Sequence, residues 1–218
     1  MKLVWSPETA SKAYIDTVKS CEIRKDSGEA ELISAMAGGW SAKVIAEGYL
    51  HGHAATAVSV GLSIAAHHSG GRHVCLVPDE RSKLEYMRAI HEAGVSPAPE
   101  VIVGEVEEAV GGLSGIDFLV ADGRRRDLGR LLRLAKLGPR GAVLVCRNSC
   151  LRSMAEFRWA RVLGGTRRIV RSVELPIARG LDIAYVAGNG GLGKKQRGAS
   201  RWITYVDQES GEEHVIRR

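Results

Sequence analysis

Paired cysteines and long apolar runs are both missing from this chain. The four cysteines, Cys21, Cys75, Cys146 and Cys150, show no C-x-x-C spacing, and two of them fall inside predicted strands. This usage indicates reduced, structural thiols of the kind found in cytosolic proteins. No stretch reaches the roughly 18 consecutive apolar residues of a membrane span, and the first residues lack a secretory apolar core. We therefore expect a cytoplasmic protein without a membrane partner, and we leave open a nuclear location and a homodimer.

Aromatic residues are also scarce, at 5% of the chain, although hydrophobic residues make up 44%. The core is therefore expected to be aliphatic, built from Val, Leu, Ile and Ala. Aliphatic strands that are buried on both faces are what a parallel sheet requires. The length of 218 residues suits one α/β domain with modest extensions.

Acidic residues are almost absent from one part of the chain. Residues 124–171 carry 14 Lys/Arg against 2 Asp/Glu, a net charge of +12, whereas residues 1–123 carry −7 and residues 172–218 carry +1. A block of this kind attracts phosphates, anionic ligands or nucleic acid. The alternative is a set of solvated helix faces, because the block has neither interleaved aromatic residues nor a nucleic-acid motif.

The hydrophobic pattern predicts strands alternating with helices, which is typical of a doubly wound sheet. The predicted strands are 43–47, 72–77, 100–104, 116–122, 142–146, 168–176 and 181–186. The predicted helices are 6–21, 27–36, 53–68, 81–93, one marked by Leu128, Leu131, Leu132 and Ala135, and one from 151 to 162. The last two strands must be antiparallel because the loop between them is so short. We expect one domain over residues 1–188, with two N-terminal helices as a layer on the sheet, and a basic Gly-rich tail over 189–218 with an edge strand at 202–206.

The first strand, its turn and the following helix suggest a cofactor site. Gly48 and Gly52 bracket the turn, and a helix begins at His53, so free backbone N–H groups and a positive dipole end meet there. The next strand ends in Asp79 and Glu80, where such folds hold a ribose diol. The dinucleotide pattern G-x-G-x-x-G is absent, which disfavours a nicotinamide-dependent oxidoreductase. A turn needed only to connect strand and helix is the structural alternative.

This order of five β/α units followed by an antiparallel hairpin resembles the class I S-adenosylmethionine-dependent methyltransferases, whose seven-stranded sheet has its last strand reversed. Over residues 6–187 the resemblance is to O-methyltransferases of the caffeoyl-coenzyme A type. The segment from Gly71 to Ser82 is also similar to an uncharacterised plant family of Rossmann-like proteins, a domain of unknown function described as methyltransferase-like. The resemblance implies a Rossmann-like fold and S-adenosylmethionine as the cofactor.

Residue by residue, the match to the cofactor motifs is partial. Gly48 and Gly52 match the two glycines of the first motif, but its acidic position falls at Ala46, with Glu47 one place later on the opposite strand face. Asp79 or Glu80 matches the acidic residue that holds the ribose hydroxyls.

On the acceptor side the resemblance breaks down at one residue. Asp122 matches an aspartate that binds a divalent metal, but the Asp-Asn pair of the next strand end is here Arg147-Asn148. A guanidinium cannot ligate a cation, so we expect no metal site. Instead we expect an ion pair between Asp122 and Arg147, with their charged groups within about 4 Å of each other.

Histidines and arginines supply the remaining candidates. His51 or Asp122 is a candidate base for deprotonating an acceptor, His53 a candidate partner for a carboxylate or phosphate, and Arg124–Arg126 a candidate site for an anionic substrate. The resemblance implies methyl transfer to a small acceptor. A Rossmann scaffold that binds a ligand or partner without catalysis is the main alternative.

Overall fold

The computed structural model describes residues 5–21, 28–49, 53–151, 158–165, 167–188, 202–206 and 213–217. The helices are α1 (Pro7–Cys21), α2 (Glu29–Gly39), α3 (His53–Ser69), α4 (Glu80–Glu92), α5 (Val106–Gly111), α6 (Leu128–Leu134) and α7 (Trp159–Val162), with a 3₁₀ turn at Ser149–Leu151. The strands are β1 (Val44–Gly48), β2 (Arg72–Val77), β3 (Glu100–Val103), β4 (Ser114–Ile116), β5 (Phe118–Asp122), β6 (Lys136–Leu137), β7 (Ala142–Arg147), β8 (Ile169–Leu175), β9 (Leu181–Val186), β10 (Trp202–Val206) and β11 (Glu213–Arg217).

Seven strands form the main sheet in the order β3-β2-β1-β5-β7-β9-β8. The pairs from β3 to β7 are parallel, and β9 is antiparallel to both of its neighbours. The predicted doubly wound, Rossmann-like sheet of about seven strands with a reversed last strand is therefore confirmed. Because β9 inserts between β7 and β8, the β8–β9 hairpin places β8 at the edge.

The central strands β1, β5 and β7 are buried on both faces, as their aliphatic sequences predict. One face carries α5, α6 and α7, with a core that includes Leu119, Leu131 and Leu144. The other face carries α1, α2 and α3, with a core that includes Ile33, Phe118 and Val145. Alternate residues of each strand therefore contact different helix layers.

The N-terminal helices α1 and α2 pack on α3 as a layer over one face of the sheet. Ser34 of α2 accepts a hydrogen bond from Thr17 of α1 at 2.8 Å and donates to the carbonyl of Gly61 in α3 at 2.8 Å. A Cβ at Gly61 would lie 2.9 Å from the carbonyl oxygen of Ala30, so glycine is what lets α2 and α3 approach this closely.

The structure adds local elements that the hydrophobic pattern does not predict. A short helix, α5, follows β3. The predicted strand 116–122 begins instead at Phe118 as β5, and Ser114–Ile116 forms β4, which pairs with β6 in a small parallel sheet. The tail segment predicted as an edge strand, β10, pairs with β11 in a two-stranded sheet of its own. Most of the predicted helix 151–162 lies outside the described residues, which contain its last turn as α7. None of the described helices combines the length and the apolar character needed to cross a membrane.

Candidate functional site at the carboxyl ends of the strands

The carboxyl ends of β1, β2, β5 and β7 lie side by side and gather most of the predicted site residues. In the register of the sheet, Gly48 is paired with Leu76 and with Ala121, and Asp122 is paired with Arg147. A parallel sheet places all of these strand ends at one edge, where ligands of α/β proteins bind. This edge is the candidate site.

Glu47, one residue before the end of β1, is buried beneath α3. Its carboxylate accepts a hydrogen bond from Ser59 of α3 at 2.7 Å, and its Oε2 lies 3.1 Å from Nε2 of His73. Ala46 faces the opposite core, so Glu47 lies on the strand face that the sequence predicts. Glu47 has 2% of its surface exposed, so its carboxylate is buried and is not accessible to a ligand.

Two other ionisable groups near Glu47 stay neutral. Burial, and then the charge of Glu47, raise the pKa of the Cys75 thiol well above its usual range. The same two causes, in the same order, raise the pKa of the Tyr86 hydroxyl. Neither group is therefore suited to act as a nucleophile or a general base at neutral pH.

The packing of α6 against the end of β1 explains why residue 48 is a glycine. A Cβ there would lie 2.8 Å from Cδ2 of Leu131 and 3.6 Å from Cδ of Arg125. The open face of this glycine is therefore covered by the α6 region. His51 and Gly52 lie outside the described residues; His53 begins α3, but its side chain is not described.

Asp79 and Glu80 lie exposed at the start of α4, directly after β2. The Asp79 carboxylate caps this helix by accepting a hydrogen bond from the Ser82 backbone N–H at 2.7 Å. Glu80 pairs with Lys83 on the same helix, at 3.3 Å. This bond uses Oδ1 of Asp79 and holds the side chain next to the carboxyl end of β2.

Asp122 is held by groups that follow β5 and β7. Arg124 donates to it through Nε at 3.0 Å, through Nη2 at 2.8 Å and through its backbone N–H at 2.8 Å, and the Asn148 amide donates at 2.8 Å. Burial disfavours the charged carboxylate, but these bonds from Arg124 outweigh it and hold the pKa of Asp122 below its ordinary value. A carboxylate stabilised in this way is a weak base.

The predicted ion pair between Asp122 and Arg147 is wrong. The Arg147 side chain lies on the α2 face of the sheet and donates to Glu29 at the start of α2, through Nε at 2.8 Å and Nη2 at 2.9 Å. Both residues are 4% exposed. Burial opposes the charge of Arg147, but the paired Glu29, and then Glu47 and Asp122, raise the pKa of the guanidinium. Asp122 and Arg147 are paired in register and lie on the same face of the sheet, but Glu29 of α2 binds Arg147, and Arg124 and Asn148 bind Asp122.

Arg125 joins the two turns at the edge. It forms a bidentate pair with Asp127, at 2.9 and 2.7 Å, and donates to the carbonyl of Tyr49 at 3.0 Å. Three arginines were predicted to bind an anionic substrate. Arg125 is buried, Arg124 is bound to Asp122, and Arg126 is exposed.

The described residues hold no metal cluster, and one cavity lies at the opposite ends of the strands. No group of three His, Cys, Asp or Glu side chains that could hold a metal ion occurs in them. A cavity of about 640 Å³ lies instead at the amino-terminal end of β2 and β3, lined by His67, Arg72 and Glu100 among others. This cavity lies on the wrong side of the sheet for the chemistry expected of the strand ends.

Glu29 and Arg124 are the residues that sequence reasoning missed. Glu29 gives no signal, because 118 positions separate it from Arg147. Arg124 does give a signal in the sequence, because an arginine two residues after an aspartate that ends a strand can hydrogen-bond to that aspartate within the turn.

Comparisons with known proteins agree with this fold. The family model DUF1442, described as a protein of unknown function, matches residues 1–218. No curated protein matches the sequence. Among solved structures, the chain is similar to a methyltransferase from Geobacter sulfurreducens (18% identity, TM-score 0.58, 80% of this chain and 88% of that chain). It is also similar to the O-methyltransferase TomG from Streptomyces achromogenes, involved in tomaymycin synthesis and solved in complex with SAM (22%, 0.58, 85% and 92%), and to an O-methyltransferase from Bacillus cereus in complex with SAH (17%, 0.56, 84% and 93%). These likenesses show the fold.

Proposed function

We propose that this chain, which belongs to the DUF1442 family, binds S-adenosylmethionine and transfers its methyl group to a small acceptor without a divalent metal. The observation that carries the proposal is the convergence at one sheet edge of the end of β1, the start of α3, Asp79 and Asp122. Structural neighbours with this fold were solved with SAM or SAH bound.

The start of α3 fits the part of the cofactor that backbone N–H groups would bind. Helix α3 has 17 residues and begins directly after the β1 turn, so its N-terminal dipole end favours the carboxylate of a bound cofactor. Asp79 is exposed beside the turn and would hold the ribose hydroxyls, with Glu80 as the alternative. The bound cofactor would supply an electrophilic methyl group on a sulfonium. The chain has to orient it and exclude water.

Metal independence is supported by how the acceptor side is filled. A divalent cation binds through open carboxylate oxygens, but Asp122 is already occupied by Arg124 and Asn148. At the end of the neighbouring strand, the buried Arg147 occupies the carboxylate of Glu29. Both carboxylates are therefore paired with guanidinium groups rather than open to a divalent ion.

Without a metal, this chain has few groups to remove a proton from the acceptor. The lowered pKa of Asp122 makes this carboxylate a poor base at neutral pH. His51, the other candidate base, lies outside the described residues. The proposed transfer therefore depends on proximity and in-line alignment of the two reactants.

A non-catalytic binding module is the second candidate, and one observation favours it. Asp122, Arg124, Arg147 and Glu29 neutralise one another, which leaves few polar groups at the edge to act on an acceptor. Cofactor binding alone is compatible with both candidates, so binding and turnover have to be tested separately.

Calorimetric titration with S-adenosylmethionine, S-adenosylhomocysteine and NADH, without added metal, tests the proposal. Asp79→Asn keeps a good helix cap and removes the charge, so we expect unchanged thermal stability and a loss of affinity for the first two ligands of tenfold or more. Glu92→Gln, at the far end of α4, is the matched control. A preference for NADH would indicate an oxidoreductase, and no binding by the wild-type protein would contradict the proposal. If binding holds, methyl transfer from labelled cofactor to a panel of small acceptors separates an enzyme from a binding module.

A further inference from the structure

The basic block of the sequence forms a contiguous surface where α6, α7 and the start of β8 meet. We define the α6–α7 surface by Arg133, Lys136, Arg167 and Arg168. Arg133 donates to the carbonyl of Val162 at the end of α7, at 3.0 Å. Arg167 donates to the backbone carbonyls of Arg133, at 3.3 Å, and Ala135, and Lys136 donates to a carbonyl of α5. These contacts hold the basic side chains together on one side of the molecule.

The charges of this surface are not neutralised. The partners described above are backbone carbonyls, which position a guanidinium or ammonium group without cancelling its charge. Among the ion pairs of the described residues, none includes a member of the α6–α7 surface.

The basic residues of α4 provide a contrast within the same chain. Arg81, Lys83 and Arg88 each lie within 3.3 Å of a glutamate on their own helix. Their positive charge is offset locally, whereas the charge of the α6–α7 surface remains available to a partner.

Arg167 supports this surface from beneath rather than presenting its own guanidinium fork. Its side chain is half-buried, and its Nη1 is buried without a hydrogen-bond partner among the described residues, so an external anion cannot reach that atom. Burial lowers the pKa of this guanidinium below its usual range.

We propose that the α6–α7 surface binds the phosphodiester backbone of a nucleic acid. Arg133 and Arg168 are exposed and carry guanidinium groups that match phosphate oxygens. Together with the exposed Lys136 they give three neighbouring cations, which suit a ligand that repeats its charge. Trp159, the aromatic residue of α7, is buried at 4% exposure and cannot stack on a base. The surface therefore binds backbone rather than bases, and its affinity depends on salt and little on sequence. This inference does not depend on cofactor binding.

Fluorescence anisotropy with a labelled 20-nucleotide single-stranded RNA, and with DNA of the same sequence, tests the inference on the full chain. Three phosphate contacts, from Arg133, Lys136 and Arg168, give a slope of about −2 for the logarithm of the association constant against that of salt. Affinity should therefore fall about twentyfold between 50 and 200 mM KCl. The RNA and DNA arms identify which of the two is preferred. No binding of either at 50 mM KCl, or a slope shallower than −1, would overturn the proposal.

Charge variants locate the binding surface. R133Q/R167Q/R168Q should reduce affinity at 50 mM KCl by more than tenfold and bring the slope close to −1, whereas R133K/R167K/R168K should retain most of the affinity. K136E/R168E, which changes two exposed side chains without touching the contacts of Arg133 and Arg167, keeps the test valid if the first variant fails to fold.

The matched control is R81Q/K83Q/R88Q on α4, which also removes three positive charges. An equal loss of affinity in this control would show a general effect of net charge and refute the assignment. Vesicles containing 30% anionic phospholipid are the last comparison. Binding to the vesicles without binding to nucleic acid would also refute it.

Discussion

Removing either partner of the buried Arg147–Glu29 pair should destabilise this protein strongly, and by unequal amounts. The two side chains are joined by hydrogen bonds of 2.8 and 2.9 Å, and each is 4% exposed. At an effective dielectric constant of 20, two unit charges about 4 Å apart attract by about 4 kcal/mol. Breaking a buried pair by removing one partner typically costs about 3–5 kcal/mol, because the other charge is left uncompensated.

The surroundings predict which partner matters more. Arg147 also interacts favourably with Glu47 and Asp122, so it keeps two negative neighbours when Glu29 is neutralised. Glu29→Gln should therefore cost about 3 kcal/mol and Arg147→Met about 5 kcal/mol, the two ends of the range for a broken buried pair.

Urea denaturation followed by circular dichroism measures these differences in the free energy of unfolding. The double variant E29L/R147M should recover most of the loss, since a buried ion pair can often be replaced by well-packed apolar residues. Lys12→Gln, which removes an exposed pair with Glu8 on α1, is the control and should change stability by less than about 1 kcal/mol. A cost below 1 kcal/mol for Arg147→Met, or a larger cost for Glu29→Gln, would refute the reasoning.

Three further predictions concern the same sheet edge. The folded pKa of Asp122 lies below its unfolded value of about 3.9. Its contribution to the free energy of unfolding is therefore present above pH 4 and is lost as the pH falls through the folded pKa. In a pH series of urea melts, Asp122→Asn should make stability less dependent on pH below pH 4. Gly48→Ala places a Cβ 2.8 Å from Leu131 and should lower stability by about 1–3 kcal/mol, and an unchanged denaturation midpoint would contradict this. Ser59→Ala removes a 2.7 Å donor from the buried Glu47 and should cost about 1.5–3 kcal/mol, whereas a cost below 0.5 kcal/mol in thermal denaturation would show that Glu47 does not need it.

The turn after β1 and the cap of α4 could be predicted from sequence because their contacts are local. The turn at Gly48, the start of α3 and the cap at Asp79 each involve residues within a few positions of one another. Glycine, cap and strand-end signals therefore place them without knowledge of the packing.

The predicted ion pair between Asp122 and Arg147 depended on long-range packing and was wrong. The choice of Arg147 between Asp122 and Glu29 depends on a helix 118 positions away, and no pattern of composition or spacing expresses that contact. The sequence also favours a glycine turn shaped for a ligand, whereas the structure shows that Leu131 covers Gly48.

What the sequence determined by itself was the alternation of strands and helices, the reversed hairpin at β8–β9 and the concentration of positive charge in residues 124–171. Each of these follows from hydrophobic period, loop length or residue counts, which are properties of neighbouring positions. The tertiary structure alone decided which charges neutralise one another. Ion pairing depends on which helix or turn brings an opposite charge to a side chain, and this is why Arg147 is buried against Glu29 of α2 while Arg133 stays exposed without a carboxylate partner among the described residues.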